Sequence, residues 1–405
     1  MALKTARTAI ITGNEAAATA AKLCRVQVVA AYPITPQSSV VENLSRSVEE
    51  GELDAEFVTV ESEHSALAVC IAASTVGARV FTATSANGLA YMYEQVQWAA
   101  GSRLPIVMGI ANRAMAAPWS VLNDQQDSMS QRDAGWLQLY CRNNQEILDT
   151  FIQAFKIAET IHVPIMVCYD GYILSHTVMP VDVPSQEEVD AFLPPYVPHT
   201  ILDPADPRNI NPVTLADPRA NSDGVLCHGY MEHRYLHQEA MLGATETIVE
   251  VDKAYGKAFG REYGGLYWED RLQDADVVLL AAGSLASEAT VAVDDLRAKG
   301  IKAGVLGLRA YRPFPKKALA DALCGKDLVL VFDKALSYGN EGPICLDLKS
   351  ALYELEGAPA VHAYIASLGG RDVKARHLAE AAERSMAHLK DGVRVRATEW
   401  INLQI

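Results

Sequence analysis

The sequence Tyr32-Pro33-Ile34-Thr35-Pro36 directly follows the apolar run Val26 to Ala31. Each proline restricts its own φ angle and biases the residue before it toward extended geometry, so Tyr32 and Thr35 have little conformational freedom. A loop this stiff costs little entropy to hold against a ligand. On its own the pattern is more typical of a rigid strand-to-helix connection, and polar residues further along the chain decide between the two interpretations.

Two further polar clusters also come directly after apolar runs. Glu61-Ser62-Glu63-His64-Ser65 follows the run from Phe57 to Val60, and Asn112-Arg113 follows the run from Pro105 to Ala111. In open α/β sheets the ligand crevice lies outside the carboxyl ends of the strands. We therefore expect Thr35, Glu63 and Arg113 to converge at one edge of a sheet.

Strand-like and helix-like stretches alternate along the first half of the chain. The candidate strands are Gln27–Ala31, Phe57–Val60, Arg79–Thr84, Ile106–Ala111 and Pro164–Tyr169. The candidate helices between them are Glu15–Cys24, Ser38–Glu49, Ser65–Val76 and Leu89–Ala100. Alternating βα units predict a mostly parallel sheet with helices on both faces.

The pattern changes in the second half. Proline, aspartate and asparagine are frequent from Phe192 to Gly224, which predicts an irregular excursion, followed by a helix around His233 to Lys257. A second α/β unit begins at Asp274. Its candidate strands are Val277–Ala282, Lys302–Leu308, Leu328–Phe332 and Val361–Ile365. The sequence thus predicts an α/β protein with two doubly wound, mostly parallel-sheet domains, 1–260 and 261–405.

Composition narrows the functional class. The 405 residues carry a net charge of -15, and no basic stripe is present to neutralise phosphates, so nucleic acid is not expected as a partner. No apolar run approaches the ~18 residues of a membrane span and the start lacks a signal-peptide core, so we expect a cytoplasmic protein without membrane contact. The seven cysteines stand singly, without a Cys-x-x-Cys pair, so we expect no iron-sulfur cluster and no metal in this chain.

Thr35, Glu63 and Arg113, with Gly13-Asn14-Glu15-Ala16 and Thr82-Ala83-Thr84-Ser85, resemble the α subunit of the multi-subunit pyruvate:ferredoxin oxidoreductases. The resemblance continues through Tyr311-Arg312-Pro313-Phe314-Pro315 and Leu368-Gly369-Gly370-Arg371-Asp372, and so covers nearly the whole chain. It implies that 1–260 is a thiamine-diphosphate pyrimidine-binding domain and that 261–405 is a domain similar to the C-terminal domain of transketolase.

The resemblance also implies a shared cofactor site. Thiamine diphosphate would lie between this chain and a β subunit that holds the diphosphate and magnesium and carries a cluster. This chain has no Gly-Asp-Gly with a downstream asparagine, so it would supply half a site. Further expected partners are γ and ferredoxin-like δ subunits, ferredoxin, pyruvate and coenzyme A. Because the chain is acidic, an acidic ferredoxin should dock mostly elsewhere in the complex.

Within that half-site the resemblance assigns roles to single residues. Glu63 would activate the aminopyrimidine ring, with Pro33 as a second cofactor contact, while Arg113 and Thr35 would hold the substrate carboxylate. From the residues alone, Glu63 fits a helix N-terminal acid, Arg113 a surface ion pair, and Thr35 a turn cap.

Other polar residues have weaker assignments. Relatives often carry Ser-Gln-Gly where this chain has Ala86-Asn87-Gly88, and a histidine at the position of Gln125. We expect the Asn123-Asp124-Gln125-Gln126-Asp127 loop to line a pocket or to face water. Gly283-Ser284 resembles a phosphate-binding helix start, although so short a motif has little weight. The histidines are assigned structural roles, His64 at a helix start and the group His228, His233 and His237.

Two alternatives remain open. The same chemistry could act on 2-oxoglutarate, a branched-chain 2-oxo acid or oxalate. A non-catalytic scaffold subunit is the other alternative, and the presence of Thr35, Glu63 and Arg113 together argues against it because a scaffold needs none of them.

Overall fold

Strands and helices alternate through a computed structural model that describes residues 7–198, 230–393, 395 and 397–405. The strands are β1 (Arg7–Ile11), β2 (Val28–Ala31), β3 (Glu56–Thr59), β4 (Val80–Thr84), β5 (Val107–Asn112), β6 (Leu137–Tyr140), β7 (Ile165–Asp170), β8 (Met179–Val183), β9 (Tyr267–Asp270), β10 (Val277–Ala282), β11 (Ala303–Leu308), β12 (Ala310–Arg312), β13 (Leu328–Asp333), β14 (Ala360–Ile365) and β15 (Glu399–Trp400). The helices are α1 (Gly13–Leu23), α2 (Ser38–Glu49), α3 (Glu63–Thr75), α4 (Ala86–Tyr91), α5 (Tyr93–Gly101), α6 (Gln126–Met129), α7 (Asn144–Ile161), α8 (Gln186–Phe192), α9 (Tyr230–Phe259), α10 (Ser284–Ala298), α11 (Lys316–Leu323), α12 (Pro343–Leu352) and α13 (Ala375–Lys390).

The first sheet has seven strands in the order β12-β6-β7-β5-β4-β2-β3. All neighbours are parallel except the edge strand β12, which runs antiparallel to β6. Ala31 lies opposite Thr59, and Thr84 lies opposite Ile110. This register keeps the carboxyl ends of β3, β2, β4 and β5 side by side, so residues that follow these strands share one edge of the sheet.

The second sheet has six strands in the order β15-β14-β13-β10-β11-β9, with only β9 antiparallel to its neighbour. The four strands predicted here from apolar runs are all present, and β10 has the predicted limits. Helices pack on both sheets around continuous apolar cores. The prediction of two mostly parallel, doubly wound sheets is therefore confirmed.

One strand crosses between the two sequence halves. Ala310 and Arg312 of β12 pair with Leu139 and Gln138 of β6, so a segment from the second half completes the first sheet. The predicted domain boundary between residues 260 and 261 concerns units that fold independently, and it stays a prediction. Most of the predicted excursion, residues 199–224, lies outside the described residues, whereas the helix predicted around His233 to Lys257 is present as α9.

Local sequence explains where the helices of the first half begin. Ser62 caps α3, because its hydroxyl accepts from the backbone N–H of Ser65, and α3 therefore starts at Glu63. The helix predicted from Leu89 to Ala100 is two helices, α4 and α5, which meet at Met92. None of the helices in the described part of the chain has both the length and the apolar character needed to span a bilayer.

Candidate functional site

The three predicted site residues follow neighbouring strands of the first sheet. Thr35 lies in the exposed loop after β2, Glu63 is the first residue of α3 after β3, and Arg113 directly follows β5. Glu63 and Arg113 are both buried, with 8% and 7% of their surfaces exposed. The three residues therefore follow strands that end at one edge of the sheet, as the strand pattern predicted.

Arg113 contacts Thr35 through the backbone. Its Nη1 donates to the Thr35 carbonyl oxygen at 2.8 Å, and its Nε donates to the carbonyl oxygen of Ser120 at 3.2 Å. Among the described residues Arg113 forms no ion pair, so the surface-ion-pair interpretation is wrong. Two of the five guanidinium N–H groups are used by these carbonyls, which leaves Nη2 and one Nη1 hydrogen for an anion.

The Glu63 carboxylate packs closely against Gly88, which has no side chain. A Cβ atom at Gly88 of α4 would lie 2.6 Å from Glu63 Oε1 and 2.6 Å from the Thr84 hydroxyl oxygen. The Thr84 hydroxyl is buried without a hydrogen-bond partner, and no described residue donates a hydrogen bond to the Glu63 carboxylate. A buried acid and a buried hydroxyl without partners are ready to bind a ligand that has hydrogen-bonding groups of its own.

The site has two walls, one formed by Glu63 with Gly88 of α4 and the other by Arg113 with the residues that follow it, and the two walls are connected. Asn87 of α4 accepts a hydrogen bond at 3.0 Å from the backbone N–H of Ala116, three residues beyond Arg113. Gly88 follows Asn87 directly and packs against Glu63. The sequence difference from Ser-Gln-Gly therefore falls on a turn that links the two walls of the site.

The loop from Asn123 to Asp127 is largely buried, so the alternative that it faces water is wrong, and the alternative that it lines a pocket stays a prediction. Asn123, Asp124, Gln125 and Asp127 are each at most 5% exposed. Their side chains are used inside the protein: Asp124 accepts from the Gly369 N–H at 3.1 Å, and Gln125 donates to the Ala282 carbonyl at 3.4 Å. The loop is a buried connector between the two sheets.

The helix start at Gly283-Ser284 is occupied by a side chain of the protein itself. Asp170, the last residue of β7, accepts hydrogen bonds from both the backbone N–H and the hydroxyl of Ser284. Its other oxygen accepts from Lys334 Nζ at 2.7 Å, and both members of this ion pair are almost fully buried. The phosphate-binding interpretation of Gly283-Ser284 is therefore wrong, because an internal carboxylate takes the place of the anion.

The same network shows what sequence reasoning missed. Burial alone would raise the pKa of Asp170, but the Lys334 charge and the hydrogen bonds from Lys334 and Ser284 outweigh it and hold that pKa below its usual range. Asp170 is the last residue of β7 and Lys334 directly follows β13, so both lie at carboxyl ends of strands, where the same rule places ligand-binding polar residues.

The histidines have contacts within the fold. His64 Nε2 lies 3.1 Å from Gln95 Nε2, and His237 Nε2 lies 2.9 Å from the Gly135 carbonyl oxygen. His228 lies outside the described residues. Within the described ranges no group of three or more His, Cys, Asp or Glu side chains is placed to hold a metal ion.

A groove of about 960 Å³ lies away from these residues, between α9 and the segment around Arg312 to Ala318. Its lining contains neither Thr35, Glu63 nor Arg113. Arg312 in its wall is neutralised by Asp347, with Nη1 and Oδ2 2.9 Å apart. The volume of this groove therefore does not identify the place where buried polar groups without partners lie close together.

Comparison with known proteins places this geometry in a family. Residues 19–253 match the family described as pyruvate flavodoxin/ferredoxin oxidoreductase, thiamine diphosphate-binding, and residues 275–378 match the pyruvate:ferredoxin oxidoreductase core domain II. The chain is 45% identical over 396 residues to the ketoisovalerate oxidoreductase subunit VorA of Pyrococcus horikoshii, with 98% of each chain covered. It is 47% identical over 370 residues to the pyruvate synthase subunit PorA of Methanocaldococcus jannaschii, covering 90% of this chain and 91% of the relative.

A solved structure agrees at the level of fold. The 2-oxoglutarate:ferredoxin oxidoreductase from Magnetococcus marinus aligns with a TM-score of 0.70 at 18% identity, covering 95% of this chain and 66% of that one. The predicted family and fold class are confirmed, and both relatives are named as subunits. The chain belongs to the pyruvate flavodoxin/ferredoxin oxidoreductase family, whose matching domain here is of the thiamine-diphosphate-binding type.

Proposed function

We propose that this chain is the α subunit of a 2-oxoacid:ferredoxin oxidoreductase that converts pyruvate and coenzyme A to acetyl-CoA and carbon dioxide, with electrons passed to ferredoxin. The single observation that carries the proposal is a buried guanidinium without a counter-ion. Arg113 is 7% exposed and forms no ion pair with any described residue. A buried charge is stable only when it is paired, and the carboxylate of a 2-oxo acid supplies the missing charge.

The residues around Glu63 fit the aminopyrimidine end of thiamine diphosphate. The Glu63 carboxylate receives no hydrogen bond from a described residue, the Thr84 hydroxyl is unpartnered, and both side chains pack closely against Gly88, where a Cβ atom would clash with them. The bound cofactor supplies a thiazolium carbon that acts as nucleophile toward the keto carbon and as an electron sink for decarboxylation. Glu63 and Pro33 are the residues of this chain that would contact it.

The proposed role of Glu63 is to assist proton transfer at the cofactor. A carboxylate that accepts a hydrogen bond from a ring nitrogen favours the imino form of the aminopyrimidine, and this form can accept a proton. Because the carboxylate lies in a largely buried position, little water competes for that hydrogen bond.

Arg113 and Thr35 orient the substrate. The bond from Nη1 to the Thr35 carbonyl, together with the Nε bond to Ser120, fixes the plane of the guanidinium before any substrate binds. The remaining coplanar hydrogens then hold one plane of the substrate carboxylate. The Thr35 side chain lies on the exposed loop, where its hydroxyl would add a hydrogen bond to the same carboxylate or to the keto oxygen.

The other half of the site is assigned to a partner. Without a Gly-Asp-Gly motif, this chain would leave magnesium and the diphosphate to a β subunit, and iron-sulfur clusters to that and other subunits, including γ and δ chains. Relatives named for a multi-subunit enzyme support such an assembly.

A branched-chain 2-oxo acid is the second candidate substrate, because the VorA relative is as similar to this chain as the PorA relative. Both acids have the carboxylate that Arg113 would bind, so Arg113 does not discriminate between them. The difference lies in the volume available to the alkyl group.

The test is steady-state kinetics on the complex purified with its partner chains. Pyruvate, 2-oxoisovalerate, 2-oxoglutarate and oxalate are compared with a low-potential electron acceptor, and bound thiamine diphosphate is quantified in the same preparation. The proposal expects the highest kcat/KM with pyruvate. Highest kcat/KM with 2-oxoisovalerate would favour the branched-chain candidate, and a complex without thiamine diphosphate or turnover would favour the scaffold alternative.

A further inference from the structure

Asp127 of α6 lies beneath both walls of the candidate site. It is 1% exposed, and its two carboxylate oxygens accept four hydrogen bonds. Oδ2 accepts from the backbone N–H groups of Ala86 and Arg113, at 2.9 and 3.0 Å. Oδ1 accepts from Asn112 Nδ2 at 2.7 Å and from the Ser128 N–H at 2.8 Å. One oxygen atom therefore joins the chain at the end of β4 to the chain at the end of β5.

Each of the two backbone donors of Oδ2 begins a wall of the site. Ala86 is the first residue of α4, two positions before Gly88, which packs against Glu63. Arg113 carries the unpaired guanidinium. Ala86 has a φ angle of 46°, in the left-handed region that costs free energy for a residue with a side chain. Such a turn needs support from its surroundings, and the hydrogen bond from its N–H to Asp127 gives part of that support.

We propose that Asp127 is a positioning residue, which fixes the separation between the α4 turn and the Arg113 backbone and thereby sets the distance between Glu63 and the Arg113 guanidinium. The proposal rests on the roles given above to Glu63 and Arg113. Asp127 itself touches neither the carboxylate of Glu63 nor the guanidinium in the described contacts, so it acts through the main chain.

A carboxylate suits this position because both of its oxygens are acceptors. All four donors are N–H groups: three belong to the backbone, and the fourth belongs to the side-chain amide of Asn112, which is itself buried. An asparagine offers one acceptor oxygen and one NH₂ group, so it satisfies one pair of donors and opposes the other. The four hydrogen bonds to Asp127 form a junction between the two walls. The Asp127→Asn substitution thus removes half of this junction with almost no change in side-chain volume.

The charge of Asp127 is held without an ion-pair partner among the described residues. Burial raises its pKa to about 7, although the hydrogen bonds from Ala86, Asn112 and Arg113 oppose this rise and the Asp124 carboxylate adds to it. Tyr140 on β6 and Cys168 on β7 are the other titratable groups that face it. Protonated Asp127 would place an O–H opposite an N–H, which weakens the junction on the acidic side of neutrality.

The first test compares Asp127→Asn with Asp124→Asn in the complete complex. Asp124 is the matched control, because it is buried in the same loop and also accepts two backbone hydrogen bonds, from Gln126 and Gly369, without touching either wall. We expect kcat/KM for the 2-oxo acid to fall by about ten- to a hundred-fold in Asp127→Asn, and by about twofold or less in the control. We also expect the acidic limb of the kcat/KM profile near pH 7 to disappear only in Asp127→Asn.

Hydrogen exchange followed by mass spectrometry gives a readout that does not depend on activity. Peptides containing the amides of Ala86 and Arg113 should exchange faster in Asp127→Asn than in wild type, with no change in the control. Unchanged exchange at both peptides would overturn the proposal. Faster exchange together with a kcat/KM within about twofold of wild type and an unaltered pH profile would also overturn it.

A charge-swapped double variant keeps the proposal testable if Asp127→Asn does not assemble. In Asn112→Asp with Asp127→Asn, the amide oxygen of residue 127 can face the Ala86 and Arg113 N–H groups while its NH₂ donates to the new carboxylate. We expect protection of these two amides and at least a tenfold recovery of kcat/KM over the single variant, or wild-type-like protection when the single variant is absent. Loss of amide protection with wild-type kcat/KM would contradict the proposal. If Glu63→Gln and Arg113→Lys leave turnover intact, the site assignment fails, whatever the exchange data show about Asp127.

Discussion

Replacing Gly88 with alanine tests the site at the point where one methyl group meets Glu63. Gly88 lies in α4, and its backbone does not have the positive φ that would exclude alanine. The added Cβ would lie 2.6 Å from Glu63 Oε1, 2.6 Å from the Thr84 hydroxyl oxygen and 3.0 Å from Glu63 Cγ. The new atom thus competes for the position of the carboxylate.

The displacement follows from these distances. Ordinary contacts of a Cβ atom begin at 3.4 Å, so an atom at 2.6 Å has to retreat by about 0.8 Å. The carboxylate is the end of a flexible side chain and the Thr84 hydroxyl can rotate about χ1, so both can move without shifting the backbone. A misplacement of about 1 Å in a catalytic group costs roughly 10²-fold in rate, and we expect that loss in kcat.

Stability should change little in the same variant. Alanine is favoured over glycine within a helix by about 1 kcal/mol, which offsets the cost of turning two side chains. Gly88→Ala therefore separates function from folding: the complex assembles with a near wild-type melting temperature and turns over slowly.

The assay is kcat in the assembled complex, measured with melting temperature and thiamine diphosphate occupancy. Gly243→Ala is the matched control, because Gly243 also lies within a helix and a Cβ there meets nothing within 4 Å. The control should keep wild-type kcat. A Gly88→Ala complex with kcat within about twofold of wild type would refute the placement of Glu63 in the reaction, since the carboxylate cannot stay where it is when the methyl group is present.

Three further substitutions test single groups. Glu63→Gln should lower turnover by roughly 10²- to 10⁴-fold without unfolding the complex, read out as slower proton exchange at the thiazolium carbon by NMR; an unchanged exchange rate contradicts the assignment. Arg113→Lys should lower kcat/KM for pyruvate about ten- to a hundred-fold, because lysine cannot present coplanar N–H groups; a value within about twofold of wild type moves the carboxylate site elsewhere. Lys334→Met should cost roughly 3 to 5 kcal/mol of stability at pH 7, because it leaves the Asp170 carboxylate buried and unpaired. Because the pKa of Asp170 is lowered in the fold, the stability it contributes is present above its unfolded pKa and is lost as pH falls. Denaturant unfolding of the variant should therefore approach wild type on acidification, and a deficit independent of pH contradicts the ion-pair argument.

Buried strands could be predicted from sequence because their apolar runs are uninterrupted. The run Val277 to Ala282 became β10 with the same limits, and the limits of the other predicted strands differ by one residue at one or both ends. The edge strands β9, β12 and β15 and the internal strand β6 were missed, whereas the edge strand β3 was predicted. β12 is three residues long, and its partner β6 lies far away in sequence, so no local pattern marks the pairing.

The candidate site, like the fold, could be predicted only in part. Glu63 and Arg113 were singled out because each lies in a polar cluster after an apolar run and the family resemblance assigned it a role; these roles stay predictions that the substitutions above test. Gly88 could not, because its importance lies in a missing atom and in the side chain that takes the space. The buried loop around Asp127 was expected at a pocket or in water, since a run of amides and carboxylates is usually solvated.

The reason for that error is physical. Side chains that bind other side chains leave a pattern of complementary residue types, whereas Asp127 and Asp124 accept hydrogen bonds largely from backbone N–H groups, which every residue except proline has. The residue type of the donor then contains no information about the contact. A polar run can be recognised as buried only when the fold shows that β4, β5 and the second sheet all present N–H groups to it. The Glu63 carboxylate receives no hydrogen bond from a described residue, and the Arg113 guanidinium has backbone carbonyl partners but no counter-ion among the described residues; these two charges are therefore the ones expected to meet a ligand.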